Sequence, residues 1–200
     1  MPATENSFEW SGGHPALDFV NTLDERPSDA PIENLATYGD LVRFAELAGL
    51  IDTEKAKYLR RLSGTRCARI AGRARELREQ LHGILAALNR QSPFPQDMLK
   101  AIAAAIRRAH AARVLVAATG TRIAVHDWDW SPSRAADVPL HACAIAIEDL
   151  LVSAEQSRIR KCAAADCDVY FIDTSKGRRR HWCSMGNCGN REKQRRWRAG

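Results

Sequence analysis

Apolar residues recur at helical spacing through most of the first 157 positions of the chain, and the texture changes beyond them. After Pro15, Leu17, Val20 and Leu23 fall at three-residue steps and predict a short helix. Glu25 to Pro31 reads as a loop. Leu35, Tyr38, Leu41, Val42 and Ala45 then mark a second helix that ends at Gly49. Asp52 or Thr53 caps a third, through Tyr58, Leu59 and Leu62. A long Arg, Glu, Leu and Ala run from about Cys67 to Asn89 makes a fourth, which Ser92 to Pro95 breaks. Met98, Leu99, Ile102, Ala105 and Ile106 form the apolar stripe of a fifth, from Gln96 to about Arg108. VLVAA and RIAVHDWDW, two β-branched runs around Thr119-Gly120, predict a hairpin. A last helix starts near Asp137 and Pro139, buries Leu140, Ala144, Ile147 and Leu151, and runs to about Ser157 straight into the next module. The expectation for residues 1–157 is a mainly α domain with a small β-hairpin, in which Cys67 and Cys143 are small core residues.

Composition changes this picture only at the C-terminal end. Hydrophobic residues make up 45% and charged residues 27%, the usage of a folded globular chain. No run approaches the ~18 apolar residues a membrane helix needs, and Met1 to Trp10 lacks a basic region followed by an apolar stretch. A cytoplasmic protein is expected. The net charge of +6 is unevenly placed: from Arg158 onward twelve Lys or Arg face four acids, a local balance of +8, while the preceding residues are slightly acidic. Asymmetry of this kind points to a polyanion as partner.

Four of the six cysteines are grouped in two pairs, Cys162 with Cys167 and Cys183 with Cys188, as C-x4-C, fifteen intervening residues and C-x4-C. Zinc is satisfied by four thiolates in a tetrahedron, and two close pairs on separate turns supply them. In a reducing compartment this grouping favours metal over disulfides. His181 is a chemically reasonable substitute ligand, but four thiols already fill the shell and leave no open position for catalysis. One structural zinc is expected. DVYFIDTSKGRRRHW between the pairs predicts a hairpin turning at Lys176-Gly177, with Val169, Phe171 and Trp182 covering a metal on which so small a core depends.

GNREKQRRWRAG follows Cys188 and predicts a basic helix from Arg191 onward. Arg191, Arg195 and Arg198 share one face, and Asn190, Gln194 and Trp197 share the adjoining one. Arg suits phosphates and guanine edges, whereas Asn and Gln suit adenine. Arg178, Arg179 and Arg180 would add backbone contacts. A zinc tetrathiolate contributes −2, so about +6 remains as an electrostatic footprint. Trp197 is expected to pack against the hairpin. Asn190 and Arg191 either touch nucleic acid or brace the finger.

Cys188-Gly189-Asn190-Arg191, with the two C-x4-C pairs, resembles the CGNR zinc-finger family, and GGHPALDFVNTLDERP from Gly12 to Pro27 resembles the ABATE domain found with that finger in bacterial stress-induced transcription regulators. The resemblance covers almost the whole chain. It implies a mostly helical domain over 1–157, a treble-clef-like zinc finger over 158–200, and Cys162, Cys167, Cys183 and Cys188 as ligands. A zinc-finger regulator that binds duplex DNA is expected, with a ligand-sensing or dimerising N-terminal domain and a homodimer as one assembly. His14, Asp18, Asn21 and Thr22 place polar groups on an otherwise buried helix, as the wall of an effector pocket or as internal caps. RNA binding is the alternative. An enzyme targeted by the finger is a third reading, without support from any nucleophile and base pair, phosphate loop or open metal motif.

Overall fold

The computed structural model describes residues 8–199; Met1 to Ser7, read above for a leader sequence, and Gly200 lie outside the described residues. The chain is mainly helical. Helix α1 (Pro15–Val20) is followed by a two-residue ribbon, β1 (Leu23–Asp24) against β2 (Ile32–Glu33), that periodicity did not foretell. Then come α2 (Tyr38–Leu47), α3 (Thr53–Leu59), α4 (Thr65–Asn89) and α5 (Gln96–His110). Strands β3 (Arg113–Ala117) and β4 (Ala124–Trp128) form the expected hairpin, with Val116 opposite Val125, and α6 (Val138–Val152) follows. Strands β5 (Ile159–Lys161) and β6 (Tyr170–Ile172) pair with each other, and α7 (Asn190–Ala199) ends the chain.

The first three helices start where the sequence supplies side-chain caps. Thr37 and Asp40 form a reciprocal capping box on α2, Asp52 accepts the Lys55 N–H of α3 at 2.8 Å, and His14 Nδ1 accepts the Ala16 N–H of α1 at 3.2 Å. Helix α4 buries Cys67, Ile70, Ala71, Ala74, Leu77, Leu81, Ile84 and Leu85 at helical spacing. Helix α6 is buried on nearly all sides, Cys143 included, and α1, α2, α4 and α5 pack around it. That apolar layer is the main core. Into it α4 also carries Arg78, only 2% exposed, which is held by Glu33 through paired bonds of 2.6 and 2.7 Å. In contrast, the β3–β4 ribbon leaves Leu115 and Ile123 largely in solvent.

Two expectations fail locally. Helix α6 ends at Val152, because Ser153 turns extended and its hydroxyl donates to the Leu150 carbonyl at 2.9 Å; a short 3-10 segment, Ala154–Arg158, makes the connection instead. The strand between the cysteine pairs finds its partner upstream of Cys162, not across Lys176-Gly177. Asp173 causes this by accepting from Ser175 N, Ser175 Oγ and Arg180 N, which curls the chain out of ladder geometry, and Arg178 takes a left-handed φ of 51°.

Candidate metal centre and basic helix

The knuckle that carries Cys162 and Cys167 is closed by short-range backbone bonds. Cys162 N donates to Val169 O at 2.9 Å, Cys167 N to Ala164 O at 3.2 Å, and Ala163 N reaches His181 O at 2.8 Å. The second pair sits on a wide turn, Met185–Gly189, closed by Gly189 N to Ser184 O at 3.0 Å and capped by Ser184 Oγ. Cys188 thus arrives at the first turn of α7, a treble-clef-like arrangement of knuckle, strand and helix. Gly189 has an ordinary φ, and what it provides is room: a Cβ there would approach Met185 Sδ to 2.9 Å.

All four cysteines are buried, and their sulfurs lie within 4.8 Å of one another. Cys167 and Cys183 sulfurs are 3.8 Å apart and those of Cys183 and Cys188 3.5 Å, too far for a disulfide. Zinc–sulfur bonds of ~2.3 Å imply tetrahedral edges of about 3.8 Å, so the donor set fits zinc in both type and spacing. Cys183 N–H donates to Cys162 Sγ at 3.4 Å, and Arg191 Nη2 to Cys188 Sγ at 3.3 Å, which suits sulfurs carrying negative charge. Crowding alone splits the thiols. The Cys162 thiol is lowered because Cys167 and Cys183 donate to it, whereas Cys183 is raised chiefly by Cys162. A dication removes that competition. Phe171, fully buried, with Val169 and Trp182 at its rim, covers the cluster as expected.

The finger is built against the helical domain. Asn21, at the end of α1, donates Nδ2 to Tyr170 O at 2.9 Å and accepts Tyr170 N–H at 3.0 Å, serving β6 as a neighbouring strand would. Ile172 N donates to Gly12 O at 2.8 Å, and Tyr170, Ile172 and Ile159 enter the main core. Across the same junction His82 Nε2 lies 2.6 Å from Asp168 Oδ2, and Lys161 pairs with the other oxygen. These groups hold the Asp168 carboxyl well below its ordinary range, the His82 contact most of all. Gly12 must be glycine here, since a Cβ would meet Asp18 Oδ1 at 2.7 Å.

The basic residues divide into those paired within the finger and those exposed without such a pairing among the described residues. Arg191 and Arg195 both clasp Asp166 of the knuckle, at 2.8 and 2.7 Å, and so clamp α7 to the metal site. Asn190 Nδ2 reaches Gly186 O at 3.3 Å, bracing the turn. The Arg180 guanidinium is taken up by the carbonyls of Ser11, Trp182 and Cys183 and lies 4.2 Å over the Phe171 ring. Gln194 and Arg198 are exposed, as are Arg178 and Arg179, and so are Lys193 and Arg196, which the face chosen from sequence left out. Asp166 was missed as well, and the only hint was a carboxylate beside a ligand. Trp197 does not pack on the finger; it is 85% exposed, because α7 projects beyond the reach of Phe171 and Trp182.

The four polar residues near α1 do not share one cavity. Asp18 accepts Gly12 N–H at 2.9 Å, and burial pushes its carboxyl up to about 6. Thr22 donates to Phe19 O at 2.7 Å, and Asn21 is committed to Tyr170. His14, its imidazole lowered by burial, lines a cavity of about 300 Å³ with Arg113, His126, Trp128 and Asp149, whereas Asn21 borders a different one of about 220 Å³ beside the cysteines. No described helix is long and apolar enough to cross a membrane.

Residues 13–154 match the family model ABATE, described as "Putative stress-induced transcription regulator", and residues 158–199 match the CGNR zinc finger. Neither description is enzymatic. With the finger family and the sulfur geometry in agreement, Cys162, Cys167, Cys183 and Cys188 form the site of one zinc ion. No curated protein matches the chain in sequence.

Proposed function

We propose a function from the premise that this chain belongs to the ABATE family and ends in a CGNR zinc finger: it is a transcription regulator whose zinc-braced basic helix binds duplex DNA. The observation that supports this most is the division of the arginines. Arg191 and Arg195 are spent on Asp166, which fixes α7 against the metal site, and Lys193, Arg196 and Arg198 are left on the outward surface of a positioned helix. Lys176, Arg178 and Arg179 extend the basic surface from the neighbouring loop. Zinc contributes no chemistry to a substrate here. It holds the knuckle, β6 and the start of α7 in one unit.

Phosphate contacts from these cations give affinity, and Gln194 and Asn187 offer amides for base edges. The two modules act as one body through Asn21 and Tyr170. In this reading the cavity at His14, Arg113 and Asp149 is the place for an effector, adjoining α1, whose far end holds the finger. The test is a competition. Labelled duplex DNA on the zinc-loaded protein is challenged with unlabelled duplex and with structured RNA of equal length. Preferential displacement by RNA would reverse the assignment of the nucleic acid. Lys193→Ala, Arg196→Ala and Arg198→Ala should each weaken DNA binding, whereas Arg191→Ala should act first on zinc retention.

A further inference from the structure

Beside the metal site, on the side away from the Asp166 clamp, the N-terminal segment and the finger enclose a cleft of about 720 Å³. Trp10 forms one wall. Its indole lies parallel to Phe44, with ring centroids 5.7 Å apart and an interplanar angle of 5°, and Phe8 meets it edge-on at 5.8 Å. One face is therefore fixed on the core, yet the side chain stays 37% exposed. The finger's share of the lining includes Trp182 with His181, whose rings are 5.7 Å apart, and Asn187 from the turn before α7. Arg180 ties the N-terminal segment to the finger by donating to Ser11 O at 3.3 Å and Trp182 O at 3.0 Å. The cleft is thus a built feature of the junction. Arg179 stands at its rim, exposed, and its guanidinium has no hydrogen-bond partner among the described residues.

We infer that this cleft receives one unstacked nucleotide: the base against the Trp10 and Trp182 indoles, its polar edge at Asn187, and its phosphate on Arg179. The inference rests on the nucleic-acid reading above and deepens it. The volume falls within the ~300 to 1,000 Å³ typical of small-molecule sites and is ample for base, sugar and phosphate. A pre-fixed aromatic face stacks on any base, and a free guanidinium at the rim selects an anion over a neutral aromatic ligand. The finger supplies both part of the cleft lining and the outward cations of α7, which brings a strand gripped by the helix to the module that borders the cleft. A base inside an intact duplex would first have to leave the stack, which costs a few kcal/mol that an unpaired base does not incur. The chain therefore prefers DNA with an unpaired nucleotide over fully paired DNA.

The experiment uses zinc-loaded full-length protein and two labelled duplexes. They are identical except that a fluorescent adenine analogue is paired in one and stands as a single-nucleotide bulge in the other. Anisotropy reads affinity, and analogue emission reads stacking. The expected result is about tenfold tighter binding of the bulged duplex with quenched emission. Trp10→Leu should abolish the preference and leave paired-duplex affinity within about threefold, and Trp10→Phe should restore it; Arg179→Glu should weaken both duplexes and bring their affinity ratio to about one. Arg179 is exposed, so the bulged-to-paired ratio of Arg179→Glu keeps the test open if Trp10→Leu disturbs folding. Deoxyadenosine monophosphate is titrated in parallel. Binding of the mononucleotide alone, with no preference for the bulge, supports the site and assigns it to a free nucleotide. Equal affinity for both duplexes, unchanged emission and no mononucleotide binding would overturn the inference while the DNA-binding reading stands. Failure to bind either duplex or the mononucleotide would remove both.

Discussion

Asn21→Ala tests whether finger and helical domain are one folded body. Asn21 is 4% exposed and Tyr170 2%, so the substitution leaves the buried Tyr170 N–H and C=O without the amide that serves both. Each stranded buried group costs roughly 1 to 3 kcal/mol, which places the loss for the two at about 2 to 6 kcal/mol. Against the ~5 to 15 kcal/mol that holds a typical domain together, this is a large fraction. Urea unfolding of the zinc-loaded protein, followed by tryptophan fluorescence, should show the midpoint falling with little change in slope. Because docked β6 belongs to the fold that holds the metal, zinc affinity should fall too. A docking loss of about 2 kcal/mol corresponds to roughly thirtyfold in a chelator competition. A change below ~0.5 kcal/mol with zinc affinity intact would refute the reasoning, because the modules would then be tethered but not coupled.

Other outcomes follow from the same contacts. Cys183→Ser should abolish stoichiometric zinc binding and expose Phe171, seen as loss of metal by elemental analysis and early protease cleavage within residues 158–199. Glu33→Ala leaves Arg78 buried without its bidentate partner and should cost about 3 kcal/mol in thermal or urea unfolding. For Asp18 the folded carboxyl titrates near 6 against an ordinary value of 3.8, so the folded state holds its proton longer than the unfolded chain. Stability from this group is thus lost as pH rises from about 4 to about 6 and stays lost above, a cost of about 3 kcal/mol. Asp18→Asn still accepts the Gly12 N–H, and it should raise stability at pH ~8 more than at pH ~5, each compared with the parent protein at equal zinc occupancy; an equal gain at the two pH values would contradict the burial argument.

Much of this was legible in the sequence because it is local. Helix α4 and the β3–β4 hairpin follow from spacing and turn residues, and the cysteine pairs declare the metal site. What escaped depends on partners far along the chain. Asn21 resembles a pocket residue until Tyr170, 149 positions later, is seen to occupy its amide. Arg191 and Arg195 share a helical face, as read from spacing, but their pairing with Asp166 of the knuckle was not visible from it. The strand Tyr170–Ile172 was legible, but its partner was not, since Asp173 captures the donors that a return strand would need. Trp197, expected against the hairpin, is exposed instead.

The central claim is that the outward cations of the finger neutralise phosphates. It is tested most directly by anisotropy of zinc-loaded protein on a labelled duplex across a salt series. Lys176, Arg178, Arg179, Lys193, Arg196 and Arg198 are exposed. If four to six of them engage, the log–log slope should lie between about −3.5 and −5.5, and each alanine in α7 should flatten it by about one. No binding at low salt, or a slope shallower than about −1, would contradict the account and leave the finger as a structural brace for the helical domain.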